Sequence, residues 1–153
     1  MYLGPKYSNY DVLREIKKNK LKYLKISKAD KFIAEKLHEG FVIACFQGRM
    51  EFGPRSLGNR SILVNACNKS VNDWLNKKLK RTEFMPFAPI TLKNHAKKMY
   101  ENFKKGIYSS KFMTVTYNCS HIMKKISPAP VHIDGTARPV SYTHLTLPTI
   151  YSV

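Results

Sequence analysis

Three arginines lie close together in a glycine-rich stretch of the sequence, residues 47–61 (QGRMEFGPRSLGNRS): Arg49, Arg55 and Arg60. The guanidinium of arginine is a planar fork of donors that matches the oxygens of a phosphate or a carboxylate. The glycines of the stretch allow tight turns and a close approach of the backbone to a ligand. Neither GxxxxGK[ST] nor GxGxxG occurs, so the stretch is not a P-loop or a dinucleotide fingerprint. The composition indicates another kind of anion-binding loop, and equally a surface turn whose arginines pair with Glu51 and Glu83.

A second polar stretch, residues 132–138 (HIDGTAR), combines a histidine, a carboxylate, a hydroxyl and an arginine. An extended backbone would place His132 and Asp134 on one side of the chain, and Gly135 would reverse its direction. A histidine near a carboxylate can perform acid–base chemistry or bind a metal, but this spacing by itself favours a structural pair. Arg138 brings a cation to the same stretch.

A third stretch, residues 80–89 (KRTEFMPFAP), sets Arg81 beside aromatic and proline residues. Phe84 and Phe87 favour packing in a core over stacking on nucleic-acid bases.

The elements that must position these stretches mix helices and strands. The continuous apolar run Phe41–Phe46 predicts a strand buried on both faces, which we expect at the centre of the core. Apolar periodicity, caps and breakers predict further elements: helices over 10–18, 29–38, 70–79 and 95–103, and strands over 21–26, 61–64, 88–92 and 112–117. The order predicts an α/β or α+β protein with a twisted, largely buried sheet flanked by helices in a single domain.

The composition is that of a globular domain with a large positive charge. The 153 residues carry 27 Lys+Arg against 10 Asp+Glu, a formal net charge of +17. This excess favours polyanions, which include nucleic acid, an acidic membrane surface and phosphorylated small molecules. The longest apolar run is far shorter than a membrane span, and the three cysteines form no CxxC pair. We therefore expect a cytoplasmic chain with no membrane partner, no disulfide framework and no metal site.

The last fifteen residues, 139–153, contain no Asp, Glu, Lys or Arg. Back-translation of 140–149 gives codons that resemble the transposon-end adapter used in sequencing libraries. We therefore predict that residues 1–139 form the domain and that residues 140–153 are a non-native tail. The alternative is a natural threonine-rich edge strand.

Taken together, these stretches resemble the carboxy-terminal domain of the O-carbamoyltransferase family, the enzymes of nodulation-factor and antibiotic carbamoylation. The family pattern GRMEFGPRALGNRSIL is matched over Gly48–Leu63 with one change, Ser56 in place of alanine. Three shorter motifs match in the same order: Tyr2–Pro5, Pro86–Pro89 and His132–Arg138. The resemblance covers nearly all of residues 2–138.

The resemblance implies a YrdC-like fold, truncated here at both ends, and a function. The family domain uses carbamoyl phosphate and ATP with Mg²⁺ to form a carbamoyl-adenylate, and a preceding actin/hexokinase-like domain, which carries a metal site, transfers the carbamoyl group to a substrate hydroxyl. The implied partners of this chain are therefore carbamoyl phosphate, ATP and that N-terminal domain. The implied phosphate and carbamoyl ligands are Arg49, Arg55, Arg60, Arg81 and Arg138, with Asn59 and Ser61 as supporting donors. His132 and Asp134 are implied to orient the carbamoyl group or to fix their loop.

The sequence departs from the family at two positions near Arg81. Leu79 stands where the family has a lysine, and Met85 stands where it has an arginine. The donor is therefore carbamoyl phosphate or a different acyl phosphate. The alternative function is a basic RNA-binding module of YrdC type, since such domains also occur in tRNA-modifying enzymes.

Overall fold

A computed structural model of the chain describes residues 1–81, 86–142 and 150–152. The described residues form helices and short strands in the order α1 (Asn9–Lys18), β1 (Tyr23–Lys25), α2 (Ala29–His38), β2 (Ile43–Phe46), β3 (Arg60–Leu63), α3 (Ser70–Lys78), β4 (Ile90–Leu92), α4 (Lys93–Met99), β5 (Tyr117–Asn118), α5 (His121–Ile126), β6 (Thr136–Ala137), β7 (Val140–Tyr142) and β8 (Ile150–Ser152). Two short 3₁₀ helices, Phe103–Gly106 and Ser109–Phe112, lie between α4 and β5.

The chain divides into two compact units. Unit 1 contains Met1–Leu63 together with β8, and unit 2 begins at Val64 and contains the elements from α3 to β7. The predicted boundaries, a domain over 1–139 and a non-native tail over 140–153, stay a prediction.

The mixed α/β class is confirmed, and the strands pair two by two. In unit 1, β2 pairs antiparallel with β3 and β1 pairs antiparallel with β8. In unit 2, β4 runs parallel to β7 and β5 runs antiparallel to β6. Among the described residues there are thus four two-stranded sheets where the sequence predicts one sheet.

Local signals place the first two helices well. At α1, the Ser8 side chain accepts the backbone N–H of Asp11, and the Asp11 carboxylate accepts the Ser8 N–H in return, which is a complete capping box. Helix α2 has the predicted bounds and ends before Gly40, whose φ of +90° continues the chain in a conformation that favours glycine.

The predicted position of the core is wrong. In β2 only Cys45 is buried, while Phe46 is 53% exposed and Phe41, just before the strand, is 56% exposed. Strand β2 has one neighbour, β3, within the described chain, so its apolar run lacks the cover that a strand inside a wide sheet receives.

The core cluster lies in unit 2 instead. Its buried members are Ala96, Tyr100, Phe103, Tyr117, Cys119, Met123 and Ala137. The rings of Phe103 and Tyr117 pack with centroids 5.2 Å apart, and Tyr100 lies 5.9 Å from each of them. This aromatic cluster joins α4 and α5 to the β5–β6 pair.

The region from residue 103 to residue 126 also differs from the prediction. A 3₁₀ helix and a left-handed residue, Met113 (φ +54°), occupy the first two residues of the predicted strand over 112–117, and only Tyr117 of that range lies in a strand. Helix α5 was not predicted, although Ser120 caps it by accepting the Met123 N–H at 3.2 Å.

Within the part of the chain that the structure describes, every helix is too short or too polar to cross a lipid bilayer.

Candidate functional site

The arginine-rich stretch is the connection between β2 and β3 in unit 1, residues 47–59, and we call it the arginine loop. The antiparallel register pairs Phe46 with Arg60, which brings the two ends of the loop together. The backbone of the first residues runs along it: Gly4 N–H donates to Met50 O (3.0 Å) and Phe52 N–H donates to Met1 O (2.7 Å). A side chain at Gly4 would place its Cβ 2.9 Å from Met50 Cβ, so this approach requires glycine. The Tyr2–Pro5 motif therefore supports the loop.

Glu51 is the buried centre of the arginine loop. Its Oε1 accepts three backbone N–H groups, from Leu57 (2.7 Å), Asn59 (2.7 Å) and Arg60 (3.2 Å). Burial by itself raises the pKa of the Glu51 carboxyl, but the backbone N–H groups outweigh burial and hold that pKa below its ordinary value. Glu51 is therefore a charged acceptor that ties the two halves of the loop together. The sequence suggested it as a partner for arginines, whereas its partners are backbone amides.

Arg60 is engaged with the loop itself. Its Nη1 donates to the carbonyl oxygens of Gln47 (2.5 Å) and Asn59 (3.0 Å), and its Nη2 donates to Gly48 O (3.3 Å). Its guanidinium carbon lies 3.6 Å from the centroid of the Phe46 ring, a stacking and cation–π arrangement. The geometry thus gives Arg60 the task of holding the loop, and its role as a ligand for anions stays a prediction.

Three more of the predicted site residues also contact the loop backbone or the N-terminal segment. Arg49 donates through Nε to Gly4 O (3.2 Å) and through Nη2 to Leu3 O (3.4 Å). Asn59 Nδ2 donates to Arg49 O (2.7 Å). Ser61 Oγ accepts the Gly58 N–H (2.9 Å). Each of these polar groups therefore has a structural partner already.

Arg55 differs from the other loop arginines. It is half-buried and makes no hydrogen bond or ion pair with any residue in the ranges 1–81, 86–142 and 150–152. It follows Gly53, whose φ of +135° favours glycine, and Pro54, whose ring fixes φ. None of the five N–H donors of its guanidinium is engaged by a described residue. The suggested alternative partner Glu83 lies outside the described residues.

The second polar stretch forms a tight turn in unit 2. Gly135 N–H donates to His132 O (3.0 Å), and the φ of Gly135 is +81°. Asp134 Oδ1 accepts both the backbone N–H (2.9 Å) and the hydroxyl (2.8 Å) of Thr136, and these bonds hold the pKa of Asp134 below its ordinary value. The Thr136 hydroxyl also lies 3.2 Å from His132 Nδ1. The structure thus brings His132 and Asp134 to one hydroxyl, that of Thr136, to which the sequence assigned no role.

The two remaining arginines also lie in unit 2. Arg138 follows β6 and is half-buried, and its Nε is shielded from solvent with no hydrogen-bond partner among the described residues. The guanidinium of Arg81 stacks on the Phe87 ring, 4.8 Å from its centroid. Phe84 and Met85 lie outside the described residues. Nowhere in the described ranges do three or more His, Cys, Asp or Glu side chains form a group that could hold a metal ion.

Comparison with known proteins identifies the class. The family model for the carbamoyltransferase C-terminus matches residues 34–153. The chain is 33% identical over 158 residues to the nodulation protein NolO of Bradyrhizobium diazoefficiens, covering 100% of this chain and 28% of NolO. It is 26% identical over 145 residues to the 3'-hydroxymethylcephem-O-carbamoyltransferase of Streptomyces clavuligerus, covering 95% of this chain and 27% of that enzyme. It is 40% identical over 144 residues to an uncharacterized protein of Methanocaldococcus jannaschii, covering 90% of this chain and 23% of that protein.

The chain therefore belongs to the carbamoyltransferase C-terminal family, as the sequence resemblance implied. It spans about a quarter of the length of these curated relatives.

Proposed function

We propose that this chain is the part of a carbamoyltransferase that binds carbamoyl phosphate and ATP. The carbamoyl-adenylate made from them would pass its carbamoyl group to a substrate hydroxyl on an N-terminal, actin/hexokinase-like domain of the same enzyme. Membership of the family supports carbamoyl transfer, and one relative is itself an O-carbamoyltransferase by name. The observation that carries the proposal is the guanidinium of Arg55, which has no hydrogen-bond or ion-pair partner among the described residues and lies in a loop that other residues hold in place.

The chemistry of the ligand fits this arginine. Carbamoyl phosphate presents a compact, doubly charged phosphoryl group, which a guanidinium binds through two parallel N–H···O bonds. The amides of Leu57, Asn59 and Arg60 donate to Glu51 and are therefore not available to a phosphate. The planar fork of the guanidinium is rigid, so arginine loses less entropy for each hydrogen bond to a phosphate than a more flexible side chain would.

Arg138 provides a second donor of the same kind in unit 2. A buried N–H without a partner costs about 1–3 kcal/mol, and more on a charged group. A phosphate or carbamoyl oxygen that accepted the Nε–H of Arg138 would remove this cost. We propose Arg138 as a ligand, and His132 and Asp134 as the residues that fix the turn before it through Thr136.

Among the described residues no three His, Cys, Asp or Glu side chains form a group that could hold a metal ion, and we propose that Mg²⁺ enters with the phosphates of ATP. For the adenylate to form, water would release inorganic phosphate from carbamoyl phosphate, and the resulting carbamate would attack the α-phosphorus of ATP with pyrophosphate as the leaving group. The task of this chain would be to bind and orient the phosphates.

Leu79 stands where the family has a lysine, so the acyl phosphate that this chain binds need not be the one that the family uses. Leu79 is 43% exposed at the end of α3, and lysines flank it on both sides at positions 78 and 80. We propose that carbamoyl phosphate remains the donor. A comparison of its affinity with that of acetyl phosphate tests this.

The central test is the substitution Arg55→Ala in the intact protein. Because Arg55 has no partner among the described residues, we expect calorimetry to show a loss of affinity for carbamoyl phosphate of about 100-fold with an unchanged fold. The matched control is Arg14→Ala, which removes an exposed arginine of α1 that pairs only with Asp11 and Glu15. Equal affinity in wild type and Arg55→Ala would refute the proposal.

A further inference from the structure

The arginine loop contains a backbone cradle of the kind that binds anions, and the protein fills it with its own carboxylate. The N–H groups of Leu57, Asn59 and Arg60 converge on one atom, Glu51 Oε1, at 2.7, 2.7 and 3.2 Å. Convergent N–H groups of successive residues form concavities that bind phosphates in many proteins. Glu51 is only 7% exposed, so water does not compete effectively for these bonds.

These bonds close a small ring of the chain. The ring runs from Glu51 through residues 52–56 to the N–H of Leu57, and none of the five enclosed residues belongs to a helix or strand. Leu57 itself is 6% exposed, and its carbonyl accepts the Tyr2 hydroxyl at 2.9 Å. The end of the ring is therefore fixed, while residues 52–54 and 56 within it are exposed.

Arg55 lies within this ring, two residues before Leu57. Its side chain has no bond to the described residues that could hold it in place. The position of its backbone therefore depends on the bonds that close the ring and on the restricted φ of Pro54. If Glu51 lost its charge, the strongest of these bonds would weaken, and Arg55 would sample more positions.

We propose that Glu51 is a positioning residue: it fixes Arg55 for the phosphoryl group by closing the ring, and it does not touch the ligand. This inference rests on the proposed function and adds to it a residue that acts through Arg55. It also assigns a role to the glutamate in the motif GRMEFGPR.

A double-mutant cycle between Glu51 and Arg55 tests this role in the intact protein. The measured quantity is the affinity for carbamoyl phosphate in wild type, Glu51→Gln, Arg55→Ala and the double variant. If Glu51 acts through Arg55, we expect Glu51→Gln to lower affinity about tenfold when Arg55 is present and by less than about twofold when it is absent. Equal losses in both backgrounds would overturn the inference while leaving the proposed function intact. If wild type does not bind carbamoyl phosphate, the proposed function fails and the inference fails with it.

Hydrogen exchange supplies a second measurement that does not depend on the ligand. We expect Glu51→Gln to accelerate amide exchange in a peptide covering 52–61 about tenfold, with no change in α4. The matched control is Glu39→Gln, which neutralises an exposed glutamate paired with Lys36 at 2.6 Å and leaves the loop bonds in place. If Glu51→Gln does not fold, Glu51→Asp, which keeps the charge on a shorter side chain, takes its place in both measurements. Unchanged exchange in the loop of the variant would overturn the inference.

Discussion

Arg55 lies in the arginine loop and Arg60 lies five residues later, at the start of β3, and the structure predicts opposite consequences for their removal. Arg60→Ala removes three hydrogen bonds to backbone carbonyls and the stacking on Phe46. At about 1 kcal/mol for each hydrogen bond and about 0.5 kcal/mol for the stacking, the sum is about 3.5 kcal/mol. Arg60 is half-buried and Phe46 is half-exposed, so solvent reduces the expected loss to about 2 kcal/mol. Arg55→Ala removes no such contact and should change stability by less than about 0.5 kcal/mol.

The assay is urea unfolding of the intact protein, followed by far-UV circular dichroism because the single tryptophan, Trp74, reports on unit 2 only. The expected loss for Arg60→Ala corresponds to a decrease in Tm of about 4–8 °C. Arg60→Lys is an informative companion, since it keeps the charge and loses the planar fork, and we expect most of the same loss. If Arg60→Ala were as stable as wild type, or if Arg55→Ala were the less stable of the two, the assignment of these roles would be wrong.

Two further predictions concern a buried hydrogen bond and a pH dependence. Thr91→Val should cost about 1–3 kcal/mol of unfolding free energy because it leaves the hydroxyl of buried Tyr100, 2.8 Å away, without its partner. Thermal unfolding measures this loss, and Thr91→Ser, which keeps the hydroxyl, should restore most of it. Equal stability of Thr91→Val and Thr91→Ser would contradict the prediction. The pKa of Glu51 lies below its ordinary value of 4.5, so the ionised carboxylate stabilises the fold above that pH and the stabilisation disappears as the pH falls through the lowered value. Urea titrations should therefore show a gap between wild type and Glu51→Gln at pH 7 that narrows below about pH 4.5, and a gap that is constant with pH would contradict the bonds to Glu51.

The features that the sequence predicts well depend on neighbours along the chain. Helix α1 is an example, because Ser8 and Asp11 cap each other across three residues. The arginine loop was also found from local composition, since glycines and arginines alternate within it. In both cases the physical cause lies within a few residues of its effect.

The features that the sequence does not predict depend on which elements become neighbours in space. The apolar run of Phe41–Phe46 identifies a strand, but the number of its strand neighbours decides whether its faces are buried. The role of Glu51 depends on amides six to nine residues away, which face its carboxylate only once the loop has closed. Helix α5 is different: the cap at Ser120 and the apolar residues after it were a usable signal that was overlooked.

The carboxylate inside the arginine loop has a consequence for how binding preferences can change in this family. The groups that hold the loop include Glu51, the amides it engages and Arg60, whereas Arg55 has no partner among the described residues. The residues that hold the loop are therefore different from the residue that we propose contacts the ligand. On the proposed function, a substitution near position 55 would alter which acyl phosphate is preferred without a change in the residues that hold the loop.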